Sequence, residues 1–271
     1  MNIVRKIYRR VWMMVSQAVI PKGSHAIRHV HLKHFEILVL ANEDVGRLIA
    51  IFRDFEPEES KFFQGILKPD DICFDVGGNV GYFSMLMAER ARQGAVHVFE
   101  PIPLNAAIVR ANAELNNFTN ITINNVAVGD VLGNIDFSVS VDSAYSSMKA
   151  TGTKAEEKSI SVPILTLDSY IQQHDIPRVD IIKVDVEGAE DMVIRGAINL
   201  LNDLSRRPRI VLLELFDVNL KPFGTTVVEI IARMMDYGYQ PHIVNSQGEL
   251  TPYLNSMANK FYNIIFTPKS V

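Results

Sequence analysis

Cysteine, net charge and long apolar runs are all scarce in this 271-residue chain. The single cysteine, Cys73, leaves no internal disulfide to form. Set inside an apolar run, it reads as a small core residue, and a reducing, cytoplasmic compartment fits. A net charge of −4 exerts no global pull toward nucleic acid or an anionic membrane, so no nucleic-acid partner is expected. There is no internal repeat and no low-complexity tract. Near the start, Arg5, Lys6, Arg9 and Arg10 precede an apolar stretch over residues 11–20, which Ser16 and Gln17 interrupt. That stretch is too short for a bilayer, which takes roughly 20 apolar residues, and no A-x-A cleavage site follows it. A helix packed on the domain is the expectation. Peripheral contact of residues 1–20 with the inner membrane surface is the alternative.

What the chain does have is length enough for a sizeable core and an alternation of apolar runs with amphipathic ones. "HFEILVLA" and "RLIAIFRD" flank the turn "NEDVG" and predict a β-hairpin. "EPEESKFFQGIL" predicts a short helix ended by Lys68-Pro69. From Asp71 the runs "DICFDV", "AVHVFE", "NITINNVAV", "VDIIKVDV" and "RIVLLEL" read as strands. "VGYFSMLMAERA", "LNAAIVRANAELN" and "AEDMVIRGAINLLND" between them read as helices. "TTVVEIIARMMDYG" then predicts a helix, and "YQPHIVN" and "KFYNIIFTP" the last two strands. Continuous apolar strands alternating with helices predict a parallel sheet covered on both faces. The stretch between the third and fourth core strands, with its serine-rich middle, predicts a hairpin at the sheet edge with a mobile tip. The expected organisation is a helix and hairpin extension over residues 1–55 and one domain over residues 56–271.

The turn after "DICFDV" lacks the G-x-G-x-x-G dinucleotide fingerprint; it reads Asp75-x-Gly77-x-Asn79-x-Gly81, with Gly78 inside it. In an open α/β sheet, ligands sit outside the carboxyl ends of the strands. The glycines let backbone approach a ligand, and Asn79 tolerates the left-handed region. Asp75 offers an acceptor for a cation, and the following helix offers N–H groups for a carboxylate. That pairing suits an amino-acid zwitterion and repels a pyrophosphate. Glu100 ends the second strand about 20 residues on, where an acid suits the two hydroxyls of a ribose. A nucleoside joined to an amino acid describes S-adenosylmethionine.

On "DICFDVGGNVGYFS", "VHVFEPIPLNAAIVRAN", "NNVAVGD" and "VDIIKVDVEGAEDMVIRGA", followed by "IVLLEL", the chain resembles the FkbM-type S-adenosylmethionine-dependent methyltransferases. The resemblance implies a Rossmann-like α/β fold, with a seven-stranded, mostly parallel sheet whose last strand is antiparallel. It implies S-adenosylmethionine as the methyl donor. It implies O-methylation of a small-molecule, sugar, glycolipid or polyketide hydroxyl. Carried over, Asp75, Gly77, Gly78, Asn79 and Gly81 hold the methionine end, and Glu100 the ribose. Ala127 and Val128 line the adenine, with Asn125 or Asp130 available to hydrogen-bond it.

"KVDVEGAE" crowds Lys183, Asp185, Glu187 and Glu190 at the end of a strand. A hydroxyl acceptor needs its proton taken or its oxygen polarised, and Asp185 or Glu187 is placed to act as the base. An acid pair that only orients Lys183 is the competing reading. Glu214 at the next strand mouth, and Tyr145, Ser146 and Ser147 in the serine-rich loop, are candidates to face the acceptor. His242 reads as structural. His25, His29, His31 and His34 show no acid partner, so no metal is expected. Two other functions stay open at this level: a fold retained for binding without turnover, and an NAD-linked oxidoreductase.

Overall fold

The computed structural model describes residues 27–139, 148, 158–254 and 262–269. Residues 1–20, with their basic and apolar stretch, lie outside these, as do Tyr145, Ser146, Ser147 and the expected mobile tip. The chain opens with strands β1 (Ile27–His31) and β2 (Glu36–Leu40) and helices α1 (Asp44–Phe52) and α2 (Pro57–Ile66). β3 (Ile72–Val76), α3 (Tyr82–Arg90), β4 (Ala95–Phe99), α4 (Pro103–Leu115) and β5 (Ile121–Asn124) follow. β6 (Ala127–Val128), β7 (Gly133–Val139) and β8 (Lys158–Leu165) come next, then α5 (Leu167–Gln173) and β9 (Ile181–Val184). The rest is α6 (Glu190–Arg195), α7 (Ile198–Asn202), β10 (Ile210–Leu215), α8 (Asp217–Leu220), α9 (Val227–Asp236), β11 (Tyr239–Val244), β12 (Leu250–Pro252) and β13 (Tyr262–Pro268).

The central sheet runs β12-β11-β13-β10-β9-β3-β4-β5. β5, β4, β3, β9 and β10 are parallel neighbours, and β13 lies antiparallel between β10 and β11. The expected seven strands are present in this mostly parallel order. The short β12, which pairs antiparallel with β11, adds an eighth that three residues of "LTP" did not signal. The period of two assigns the faces. Phe74 and Val76 join Phe99, Tyr170, Val184, Leu213 and Ile264 on one side. Cys73 joins Val96, Val98, Ile181, Leu212 and Ile265 on the other.

Four local expectations differ from the structure. "RLIAIFRD" is not a strand; it lies in α1, and the hairpin instead pairs β1 with β2, Ile27 opposite Leu40. Its apolar run is too short for periodicity to separate helix from strand. "NITINNVAV" breaks after Asn124, and β6 leaves the central sheet. The hairpin β7–β8 joins β6 in a separate three-stranded sheet, order β6-β8-β7, rather than extending the main edge. "AEDMVIRGAINLLND" divides at Gly196, where an added Cβ would meet the Gly129 carbonyl oxygen at 1.9 Å.

The N-terminal elements share the core of the sheet. Val30, Ile37, Val39 and Ile49 pack in one cluster with Phe63, Phe83, Met85 and Val109. Asn112 of α4, fully buried, accepts from the Leu38 N–H (2.6 Å) and donates to the Leu38 and Val80 carbonyls (3.0 and 2.9 Å). Asn116 does the same for Glu36, accepting from its N–H at 2.8 Å and donating to its carbonyl at 2.7 Å. Two asparagine amides therefore satisfy the open edge of β2 and fix the hairpin to α4. Among the described residues, no helix is long and apolar enough to cross a membrane.

Candidate active site

A cavity of about 440 Å³ opens at the carboxyl ends of β3, β4, β9 and β10. Asp75, Gly77, Gly78, Asn79, Glu100, Ala127 and Val128 line one part of it; Asp185, Glu187 and Glu214 line the other. These are residues expected from the sequence, Ala127 and Val128 among them by resemblance alone, and the fold brings them to one place. Three others stay out of the lining. Gly81 starts α3 at φ +88°, and its missing Cβ makes room for Val109. The Asn125 amide donates to the Glu100 and Pro101 carbonyls (2.8 and 3.0 Å), fixing the chain after β4. Asp130 is ion-paired with Arg195 at 2.9 Å. For Asn125 and Asp130, these partners give a structural account in place of contact with an adenine. His242 also lies outside the cavity, bonded to Thr267 at 3.0 Å.

The glycine turn is pressed against the protein itself. A Cβ on Gly77 (φ +83°) would stand 1.8 Å from the Asp185 carbonyl oxygen, and one on Gly78 would stand 2.4 Å from Val98. These glycines line the cavity and also make room for the neighbouring strand ends. The turn's N–H groups are also engaged. Those of Gly77 and Gly78 donate to the Phe99 carbonyl and that of Gly81 to the Gly78 carbonyl. Asn79 N–H donates to Glu100 Oε2 at 2.8 Å, and Val80 N–H to Asn79 Oδ1. A pyrophosphate would find no donors in this turn and Asp75 beside it.

Glu100 accepts from Asn79 with one oxygen and from Ile102 N–H (2.9 Å) with the other, so it braces the turn. Burial pushes its carboxyl up to about 8, against those two hydrogen bonds. Asp75 Oδ2 accepts from Ser84 Oγ at 2.5 Å, while its buried Oδ1 has no hydrogen-bond partner among the described residues. Burial raises Asp75 as well.

The charges are set by register. Asp75 pairs with Lys183 across β3 and β9, and Glu214 pairs with Asn263 across β10 and β13. Alternation then places Lys183, Asp185 and Glu214 on the same sheet face as Asp75. Lys183 Nζ lies 3.1 Å from Asp185 Oδ2, 4.0 Å from Asp75 Oδ1 and 5.1 Å from the centre of the Phe83 ring. Burial opposes its charge, but Asp185, Asp75, Glu56 and Glu214 lift its pKa above the ordinary lysine value. Burial also opposes the Asp185 charge, yet Lys183 and the Glu214 hydrogen bond hold its carboxyl below the ordinary range. Glu214 is driven well up by burial and by Asp185. Glu187 sits at φ 53° and accepts from the Asn219 amide at 2.5 Å. Gly188 next to it (φ +110°) leaves room for the Asn219 carbonyl.

Sequence reasoning missed several cavity residues, Glu56, Phe55, Met148, Asn219 and the α1 residues Val45 and Leu48, and the buried Ser84 hydroxyl that bonds Asp75. A buried lysine inside "IIKV" was the one available signal for a charged network. It also missed an acid partner for the histidines. Glu36, opposite His31 in the hairpin, contacts His29 Nε2 at 2.5 Å and His31 Nδ1 at 3.3 Å. Asp185, Glu187 and Glu214 form a second ligand-like trio, with one oxygen each inside 4.8 Å of the others.

The hexuronic acid methyltransferase AglP of Haloferax volcanii is 26% identical over 208 residues, 76% of this chain and 81% of that protein. The 31-O-demethyl-FK506 methyltransferase FkbM of Streptomyces tacrolimicus is 25% identical over 232 residues, 74% of this chain and 85% of that protein. Among solved structures, an O-methyltransferase of Bacillus cereus gives a TM-score of 0.46 at 14% identity, covering 95% of this chain and 88% of that one. Residues 75–241, from the acid that ends β3 to the middle of β11, match the methyltransferase FkbM domain, and the chain belongs to that family of methyltransferases.

Proposed function

We propose that this protein is an S-adenosylmethionine-dependent O-methyltransferase whose acceptor is a hydroxyl of a sugar, glycolipid or secondary metabolite. The observation that carries this reading is a single cavity with two differently equipped ends: Asp75 and Glu100 at the glycine turn, and Asp185, Glu187 and Glu214 over β9 and β10. The family implies the cofactor, and relatives are named for a hexuronic acid and for 31-O-demethyl-FK506. The residues present fit the cofactor. Asp75 Oδ1, hydrogen-bonded to no described residue and 4.0 Å from Lys183 Nζ, is an acceptor for an ammonium, the Glu100 carboxyl suits a diol, and Ala127 and Val128 give an apolar face for a base.

When bound, S-adenosylmethionine supplies a methyl group on a cationic sulfur, and the products are the methylated acceptor, S-adenosylhomocysteine and a proton. The chain's task is to hold the acceptor oxygen in line, which supplies roughly 7–11 kcal/mol in the best cases, and to receive its proton. Asp185, kept ionised by Lys183, orients the hydroxyl as a hydrogen-bond acceptor. Glu187, fixed by Asn219, takes the proton. Glu187→Gln is expected to keep its affinity for S-adenosylhomocysteine in calorimetry and to lose turnover on the order of 10²–10⁴-fold. A Glu187→Gln variant with wild-type turnover would remove the base from this position. Failure of the wild-type protein to bind S-adenosylhomocysteine would sink the reading as a whole.

A further inference from the structure

The two ends of the cavity have different origins along the chain. The turn, Glu100 and the acids after β9 and β10 all lie inside residues 75–241. The wall above Asp185 and Glu214 does not. Asp44, Val45 and Leu48 of α1, with Phe55 and Glu56 before α2, complete the lining there. Glu56 is placed firmly. Its carboxyl is hydrogen-bonded to Asn263, the residue opposite Glu214 in the β10–β13 ladder, and it feels Lys183 and Asp185. Its backbone is left-handed (φ 45°) immediately before Pro57, a conformation that costs a glutamate energy and persists only where the surroundings impose it.

We propose that the acceptor is an uncharged sugar ring, held in a cage of carboxyl groups in which Glu56 is the specificity-determining residue. The proposal rests on the methyltransferase reading above. Asp185 and Glu187 accept hydrogen bonds from ring hydroxyls, and Glu56 and Glu214, holding protons, donate to ring oxygens. Burial, with Glu59 beside it, pushes the Glu56 carboxyl up to about 8, which agrees with that division of roles. Leu48 and Phe55 supply the apolar contact that a ring's C–H face needs. Lys183 is the only basic side chain among the described residues that line the cavity, and it is already committed to Asp185 and Asp75. An anionic acceptor would meet Asp185 and Glu187 with no uncommitted cation among the described lining residues to offset them, a repulsive element that sets selectivity as much as any attraction does.

The full-length protein, methyl-labelled S-adenosylmethionine and an extract of the cells that make it provide the test. Acid hydrolysis releases the labelled monosaccharides, and ion exchange separates them by charge. Label in the neutral sugars is expected. If S-adenosylhomocysteine binds in calorimetry but the label enters acidic or basic sugars, or no sugar at all, the proposal is overturned and the cofactor reading survives. If S-adenosylhomocysteine does not bind, the methyltransferase reading is the one that fails. Glu56→Met, which keeps the length of the side chain but has no proton to donate, and Glu56→Gln, which keeps a donor there, are then titrated with the neutral acceptor fraction before hydrolysis. The acceptor KM of Glu56→Met should rise about 10-fold and that of Glu56→Gln should stay near the wild-type value, with the S-adenosylhomocysteine Kd of both unchanged. A wild-type KM in Glu56→Met, or a Kd that moves with the KM, takes the specificity role away from Glu56.

Discussion

Glu100 braces the glycine turn and lines the cavity. Its oxygens hold the N–H groups of Asn79 and Ile102. Glu100→Ala is expected to weaken S-adenosylhomocysteine by roughly 0.5–1.5 kcal/mol, the net value of a hydrogen bond to an uncharged carboxyl. Unchanged affinity in a folded variant would count against a ribose at this position. Gly77 gives the opposite result, because its constraint is internal. A Cβ would stand 1.8 Å from the Asp185 carbonyl at a φ of +83°. Gly77→Ala should therefore lower stability by at least about 1–3 kcal/mol through overpacking, with or without ligand. A variant that melts normally yet loses S-adenosylhomocysteine would show that the glycine serves the ligand after all.

At the level of elements, the hairpin β1–β2 is tied to α4 through side chains. Asn112 has no exposed surface and makes three hydrogen bonds to backbone groups of Leu38 and Val80. Asn112→Ala strands those groups in the core, each at a cost of about 1–3 kcal/mol when no water replaces the amide. Denaturant unfolding of Asn112→Ala should show a loss of about 3 kcal/mol or more in one transition, since the hairpin shares its core with α3 and α4. Two separate transitions would mean that the hairpin folds as its own unit, and the cavity wall made by α1 would then be detachable from the rest.

For the whole molecule, the buried acids set the dependence of stability on pH. Burial raises Glu56 and Glu100 from an ordinary value of 4.5 to about 8, and Glu190 to about 7. Between about pH 4.5 and 8 the folded chain binds more protons than the unfolded chain, so stability falls as pH rises through that window. The slope approaches about 1.4 kcal/mol per pH unit for each such carboxyl. Asp185 has the opposite sign: its depressed pKa stabilises the fold above the ordinary aspartate value, and that contribution is lost as pH falls. The denaturation midpoint should decline from about pH 5 to about pH 8.5, and Glu100→Gln should flatten the decline. A midpoint that climbs over this range would mean that these carboxyls are ionised in the folded protein.

The sequence by itself determined the parts that depend on local periodicity and on residue type at strand ends. Continuous apolar strands alternating with helices require a parallel sheet buried on both faces, and "FDVGGN", "FEP" and "KVDVEG" put Asp75, Glu100 and Asp185 at its carboxyl edge whatever the details. Short apolar runs did not determine their own state. "RLIAIFRD" lies in α1, which packs so close to β2 that a Cβ on Gly46 would meet the Leu40 carbonyl at 2.1 Å, a packing fact with no local signature. Only the tertiary structure decided which side chains meet. Glu56 lies far from Lys183, Glu214 and Asn263 in sequence and reaches them because β13 inserts between β10 and β11 and α2 packs over that sheet face. Asn125 and Asp130 are expected at the base by resemblance, and the fold sets them against backbone carbonyls and Arg195. A hydrogen-bonding side chain goes to whichever partner the fold brings within about 3 Å, and residue spacing along the chain does not contain that distance.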